Sequence, residues 1–355
     1  MNIFETHIFI VRISMYVGIA FLALSTALLL IVLINRVRAN RKRRQEQEFL
    51  KKWRNILLQA IFEIPESFTK IPDRYKKVST IVWNDFLDNL KGEEKQRLII
   101  LAKKLNLDSF ALKKLDSRKD DERILAIKAL GNFGEKSVFS KLSSISSNSK
   151  NVTIKLEAFH SMAKIDPSRA VNKILNFLKS EVYYPNYKMA LILEELGPST
   201  FSSRLAEIIK KSPLNVQIKL LGFMIAGERD IALKLAYNFL NNSQNPELIS
   251  SSLKIVEYFG DPRDIPLVKR FLDHEQEFVR MNAVRVLGSI GNINEVSDIE
   301  QKLADNSWWV RLRAAEALLN LPKIDPNLLR EIRDRQVDEY AIDILNHVLA
   351  EERNL

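Results

Sequence analysis

Four histidines, His7, His160, His274 and His347, are the only imidazoles of this 355-residue chain, and there is no cysteine. Zinc chemistry asks for ligands a few residues apart, and a thiolate nucleophile asks for a cysteine. The histidines lie too far apart in sequence for a metal motif, so no metal and no cofactor is expected. Glu194 and Glu195 are adjacent, which points them to different parts of one helix and makes a poor acid/base pair. His160 and His347 fall in apolar, helix-spaced stretches and read as partly buried, satisfied histidines. The sequence has no phosphate loop and no nucleophile motif. Only 10 glycines are present, which disfavours glycine-loop nucleotide sites and turn-rich β folds.

Two other groups of residues can bind rather than react. Arg280 and Arg311 stand one repeat apart, with Arg123 and Lys155 in the same column. They form either an anion-binding ladder or a set of bridges to acidic groups of the adjacent turn, such as Asp273 or Asp305. A periodic residue serves the period, so bridging is the expectation. Trp308 and Trp309 stand together at a repeat boundary. Trp309 shares its position with Phe278, Leu214 and Tyr184 and is expected to pack between units. Trp308 aligns with Pro213, Pro246 and Glu277, which suggests exposure, so it either anchors a partner or packs, and packing is the expectation.

The net charge of +10 is mostly local. Arg36 to Arg54 holds nine basic residues against Glu46 and Glu48, a net +7. A nucleic-acid-binding array would spread lysine and arginine over a whole face, because each neutralised phosphate releases counterions. The rest of the chain is nearly neutral, so no nucleic acid is expected. Immediately before the basic run, Ile13 to Ile34 is uncharged over 22 residues. At about 1.5 Å per residue this predicts a transmembrane helix. Arg36, Arg38, Arg41, Lys42, Arg43 and Arg44 then predict a single-pass protein of a bacterial inner membrane, with its N-terminus outside and the remainder cytoplasmic. The same six residues either set topology alone or also bind anionic lipid.

The elements that position these residues repeat. Gly134, Asp166, Gly197, Gly227, Gly260, Gly291 and Pro322 mark one frame at intervals of 30 to 33 residues. Before each marker lies an apolar pattern of helical spacing: Ala126, Ile127, Leu130 and Phe133, then Ala158, Phe159, Met162 and Ile165, and later Ala283, Val284, Leu287 and Ile290. A second helix-spaced run follows each marker, as in Ile265, Val268, Phe271 and Leu272. Each unit is therefore helix, tight turn, helix. Asp166-Pro167 and Asp261-Pro262 supply a capping carboxylate before a proline tolerated in the first turn. Gly134, Gly197 and Gly291 can end a helix in the left-handed conformation. The fourth unit has Lys219 where a small residue belongs, so either it is irregular or the frame slips by one. One such pair cannot bury both faces, so the units must stack.

Units of about 31 residues reading V-R-x-x-A-x-x-x-L-G-x-x-G resemble HEAT repeats of the short, PBS-lyase-like variety. Phe278-Val279-Arg280 through Ala283, Leu287-Gly288 and Gly291 carries the resemblance. So do Trp309-Val310-Arg311 through Ala314, Ala315 and Leu318, and Arg123 through Ala126, Leu130-Gly131 and Gly134. It covers residues 93 to 351.

The expected fold is all-α: an α-solenoid of about seven to eight HEAT-like helix pairs preceded by one transmembrane helix. Residues 1–12 form a tail, 13–35 the span, 36–54 the basic juxtamembrane segment and 55–92 a helical adaptor. The repeats occupy 93–336, and a capping helix 337–355. Ser140 to Ser149 is a weak second helix or a loose loop. The resemblance implies a binding surface rather than an enzyme: a membrane-anchored scaffold holding another protein, accessory to a membrane enzyme complex. A lyase- or hydroxylase-type HEAT enzyme and a HEAT-type DNA-binding protein are the alternatives. In HEAT-like arrays the second helices line the concave side. This implies a partner surface of Arg204 and Glu207, Lys234 and Tyr237, Lys269 and Arg270, Glu300 and Gln301, with Trp308 at the edge.

Overall fold

The computed structural model describes residues 3–65, 70–180, 182–322 and 326–352. Within its helices, the side chains at 3–14, 17, 20, 23, 27, 326, 351 and 352 are outside the description. Helices are the only regular structure among the described residues. The chain divides into two compact units, Met1–Phe133 and Gly134–Leu355, so the division falls inside the first framed repeat.

Unit one holds α1 (Ile3–Phe62), α2 (Asp73–Leu87), α3 (Gly92–Lys104), α4 (Leu107–Lys114) and α5 (Asp120–Phe133). Its core is tied by two indoles. Trp53, at the far end of α1, donates Nε1–H to the Ser79 carbonyl at 3.1 Å. Trp83 donates to the Leu98 carbonyl at 3.0 Å and stacks on Phe133. Both rings are buried with their single donors satisfied, which is how tryptophan is accommodated in a core. Beside them Asn132 donates to Asn84 at 2.8 Å, both side chains buried.

Unit one corrects two expectations. Residues 55–62 are no separate adaptor helix, because α1 is continuous over 60 residues. The predicted span is the first part of that helix, which runs unbroken into the basic residues. Ile13, Ser14, Val17, Ala20, Ala23 and Ala27 of the predicted span lie outside the described side chains. Among the described residues, no helix is long and apolar enough to cross a membrane. That finding overturns the transmembrane helix, the single-pass topology and the cytoplasmic placement of the repeats. From Met15 to Val37, the described apolar side chains are exposed.

Unit two begins with α6 (Phe139–Asn148), so the serine-rich stretch is a helix. Six helix pairs follow: α7 (Val152–Ile165) with α8 (Pro167–Leu178), α9 (Asn186–Leu196) with α10 (Pro198–Lys211), α11 (Leu214–Leu221) with α12 (Arg229–Asn242), α13 (Pro246–Phe259) with α14 (Ile265–Lys269), α15 (Glu277–Ile290) with α16 (Val296–Glu300), and α17 (Trp308–Asn320) with α18 (Pro326–Asp334). Helix α19 (Glu339–Glu352) closes the array. First helices pack on first helices from α11 through α13, α15 and α17 to α19. The core is the predicted apolar column: Ala283, Val284 and Leu287 are fully buried, as are Ala314, Ala315 and Leu318.

The turns divide by chemistry. Gly197 has φ +80°, the left-handed region that glycine enters at no steric cost. Gly291, expected to do the same, is extended instead (φ −79°, ψ −179°). Glycine is required there by space, since a Cβ would sit 2.3 Å from the Leu287 carbonyl oxygen. Asp261 and Asn292 each form a capping box, with Asp264 and Glu295 returning a carboxylate to the cap's own N–H. The fourth unit is irregular, with α11 tightening into a 3-10 segment over Gly222–Ala226. Lys219 fits there because its chain reaches back to the Ser180 carbonyl at 2.7 Å and lies over the Tyr184 ring.

Candidate partner-binding surface

Within the basic column, Arg280 binds one repeat to the next, whereas the Nε of Arg123 is buried without a hydrogen-bond partner among the described residues. Arg280 donates Nε–H to Asp305 Oδ2 at 2.8 Å and Nη2–H to Oδ1 at 2.7 Å, while Nη1 reaches the carbonyls of His274 and Glu275. One guanidinium therefore closes its own turn and holds the next. Burial alone would raise the Asp305 carboxyl, but the Arg280 hydrogen bond, the Ser307 N–H and nearby positive charge outweigh it and hold the group below its ordinary value. Arg311 has a weaker version of the same grip. It donates to the Asp305 carbonyl at 2.8 Å and lies over the Tyr340 ring at 5.1 Å. Lys155 reaches the Ser147 carbonyl at 3.4 Å.

The second-helix residues expected to face a partner are largely spent in the same way. Lys269 pairs with Asp298 at 2.6 Å, and that hydrogen bond raises its pKa. Arg270 donates to Asn241 at 2.9 Å, and Arg204 to Asn172 at 3.4 Å. Arg335 takes Glu300 with two nitrogens, and the Gln336 amide donates to the same carboxylate at 2.7 Å. Glu207 sits between Lys210 and Lys211 on its own helix. Tyr237 is half-buried, and burial together with a hydrogen bond to Asp264 pushes its hydroxyl pKa up. Lys234 and Gln301 stand exposed.

At the start of α17 the picture differs. Trp308 is 47% exposed, as its alignment suggested, and Trp309 is 53% exposed, so neither indole packs as expected. The two indoles meet edge to face at 4.7 Å. Its alignment partner Tyr184 is buried, because that phenol has somewhere to go: its O–H donates to the Leu178 carbonyl at 3.0 Å, and burial raises its pKa to about 12. At the start of the last helices, Val337 and Tyr340 are exposed too. These two were missed by repeat reasoning, which treats the terminal helix only as a cap.

Of the remaining candidates, His160 lies 3.7 Å from Glu195, and His347 is exposed rather than buried. Arg36, Arg38, Arg41, Lys42, Arg43 and Arg44 all stand exposed along α1. Their expected part in topology falls with the span. Among the described residues, no three His, Cys, Asp or Glu side chains are grouped to hold a metal ion.

No curated protein matches the chain. Among solved structures, an engineered protein is 14% identical over 83% of this chain and 87% of its own, with a TM-score of 0.34. Kap121p is 14% identical, covering 82% of this chain and 37% of its own, with a TM-score of 0.48. A computationally designed armadillo repeat protein for modular peptide recognition is 15% identical over 75% of this chain and 98% of its own, with a TM-score of 0.23. Residues 233–321 match the family model for HEAT repeats. That match runs from within α12 to the end of α17, the stretch with the capping boxes and the Arg280 bridge. None of the comparisons singles out the lyase-like variety; the family match supports HEAT repeats over residues 233–321.

Proposed function

We propose that this protein is a non-enzymatic HEAT-repeat scaffold that holds another protein, with the α17 edge as its anchor. The observation that carries the reading is the adjacent pair Trp308 and Trp309, each about half exposed on an otherwise well-packed helix. A large aromatic left in water costs free energy that a partner's surface recovers, and tryptophan is enriched among residues that dominate interfaces. Val337 and Tyr340 add exposed apolar side chains, Tyr340 with its ring against Arg311 of α17. The accessory role at a membrane enzyme rested on the span and is not retained.

A photocrosslinking residue at position 308 tests this in the full-length protein expressed in its own cells. A discrete protein adduct should form from position 308 and not from position 258, where Tyr258 is also exposed. Trp309→Ala should reduce its yield while helix content stays unchanged. Equal labelling from both positions, or no adduct from 308, refutes the α17 edge as the anchor.

A further inference from the structure

Open grooves cross the described surface, and two of them carry charge. One lies over α13, α15 and α17 and measures about 560 Å³, but its charges are already matched, Glu257 with Arg285 and Glu316 with Arg313. The other lies within unit one, and the lysines that line it outnumber the carboxylates that line it. It measures about 610 Å³ and is formed by the first turn of α2, by α4 and by Glu122 of α5. Lys76, Lys77, Lys113 and Lys114 line it against only Asp73 and Glu122.

We propose that this lysine groove binds an acidic peptide segment of a partner protein. Its ammonium groups are available for exchange. Lys76 pairs with Asp73 at 2.8 Å, and Lys77 with Asp121 at 2.5 Å, but those carboxylates are 93% and 63% exposed. Pairs so exposed contribute little and are readily traded for an incoming carboxylate. Lys113 is exposed, has no hydrogen bond or ion pair among the described residues, and lies close enough to Asp73 to be felt by its carboxylate. Lys114 is held more firmly, by Glu122 at 2.8 Å, and fixes the wall nearest α5.

The rest of the lining selects the ligand class. Asn106, which turns the chain in the left-handed conformation (φ 57°) between α3 and α4, and Ser109 also line the groove. These are neutral partners for a peptide backbone. Phe110 is half-buried and gives the groove an apolar wall. One phosphate would engage only part of this set, whereas four lysines lining one groove suit a chain with several carboxylates. A nucleic acid would want a longer basic stripe and an open aromatic face for stacking. This site is separate from the tryptophan edge and stands on its own residues.

The test uses the full chain and a short fluorescein-labelled peptide alternating Glu and Leu, read by fluorescence anisotropy. Binding should weaken with added salt, and the Gln-Leu analogue should bind about tenfold more weakly or not at all. Lys113→Gln should raise Kd several-fold, and Lys76→Gln with Lys113→Gln about tenfold, with helix content unchanged. Lys113→Arg should restore binding. Lys113 is exposed and unpaired, so its variant is not exposed to a folding failure. Equal affinity for the Gln peptide, or an unaltered Kd in the double variant, overturns the proposal. So does a short single-stranded RNA that binds more tightly than the peptide and loses affinity in the same variant, which would make the groove a nucleic-acid site.

Discussion

Arg280 and Asp305 form a two-pronged bridge between successive repeats, 25 residues apart in sequence and 2.7 to 2.8 Å apart in space. Both side chains are largely shielded, at 14% and 7% exposure. The planar guanidinium matches the carboxylate in a way that a lysine could not. Its third nitrogen closes the turn it came from, so a single residue fixes the angle between two units.

Arg280→Met should therefore be costly. It leaves the Asp305 carboxylate shielded from water without its main counterion, a loss of about 3 kcal/mol in urea unfolding. Arg311→Met removes one carbonyl hydrogen bond and one ring contact, and should cost roughly 1 kcal/mol. Equal losses from the two variants would mean that column position alone, rather than the Asp305 grip, sets the stabilisation.

The same bridge sets a pH dependence. Asp305 is held below its ordinary value in the folded protein, so its contribution is complete above the unfolded carboxylate range, about pH 4. It is lost as pH falls through the lower, folded value. The difference in urea midpoint between the parent and Asp305→Asn should thus be constant near neutrality and shrink in acid. A difference that grows on acidification contradicts this assignment.

The repeat frame was legible because it rests on apolar spacing. Leu287, Leu318 and Met162 had to be buried wherever the helices packed, and they are. The fates of polar side chains were less legible, since they depend on reach across repeats. Arg270 was read as solvent-facing, and it is exposed, but nothing near it in sequence reveals Asn241 within 2.9 Å. Trp309 was read as packed because it shares a column with Tyr184, yet only the tyrosine has a carbonyl to receive its hydroxyl. The apolar run before Arg36 was read in isolation. In the fold it is part of a longer helix that continues through the basic residues to Phe62. Capping asparagines at 151, 245 and 292 carried a usable signal, each standing just before a helical run.

Close approach of α15 and α17 depends on Gly288. A Cβ placed there would lie 2.6 Å from that of Ala317, well inside van der Waals contact. Gly288→Ala gains helix propensity at an interior position, but the clash should outweigh it, for a net loss of about 1–3 kcal/mol. A thermal melt no lower than that of the parent would show that the helices can slide apart without penalty. Leu287→Ala, in the adjacent buried column, should cost roughly 2–5 kcal/mol by opening a cavity instead.

Charges on the second helices should matter for stability more than for partner capture. Lys269 is bonded to Asp298, and Arg270 to Asn241, each linking one repeat to its neighbour. These contacts are partly exposed, so Lys269→Ala with Arg270→Ala should cost only about 1 kcal/mol in total. The double variant should still form the adduct from position 308. Trp308→Ala in an otherwise unaltered chain should do the reverse. Its indole is half in water, so melting should shift by less than about 0.5 kcal/mol, while partner capture falls. Measuring both quantities on both variants separates the two surfaces. If Lys269→Ala with Arg270→Ala abolishes capture at unchanged stability, the partner sits on the second helices and the α17 edge is not its anchor.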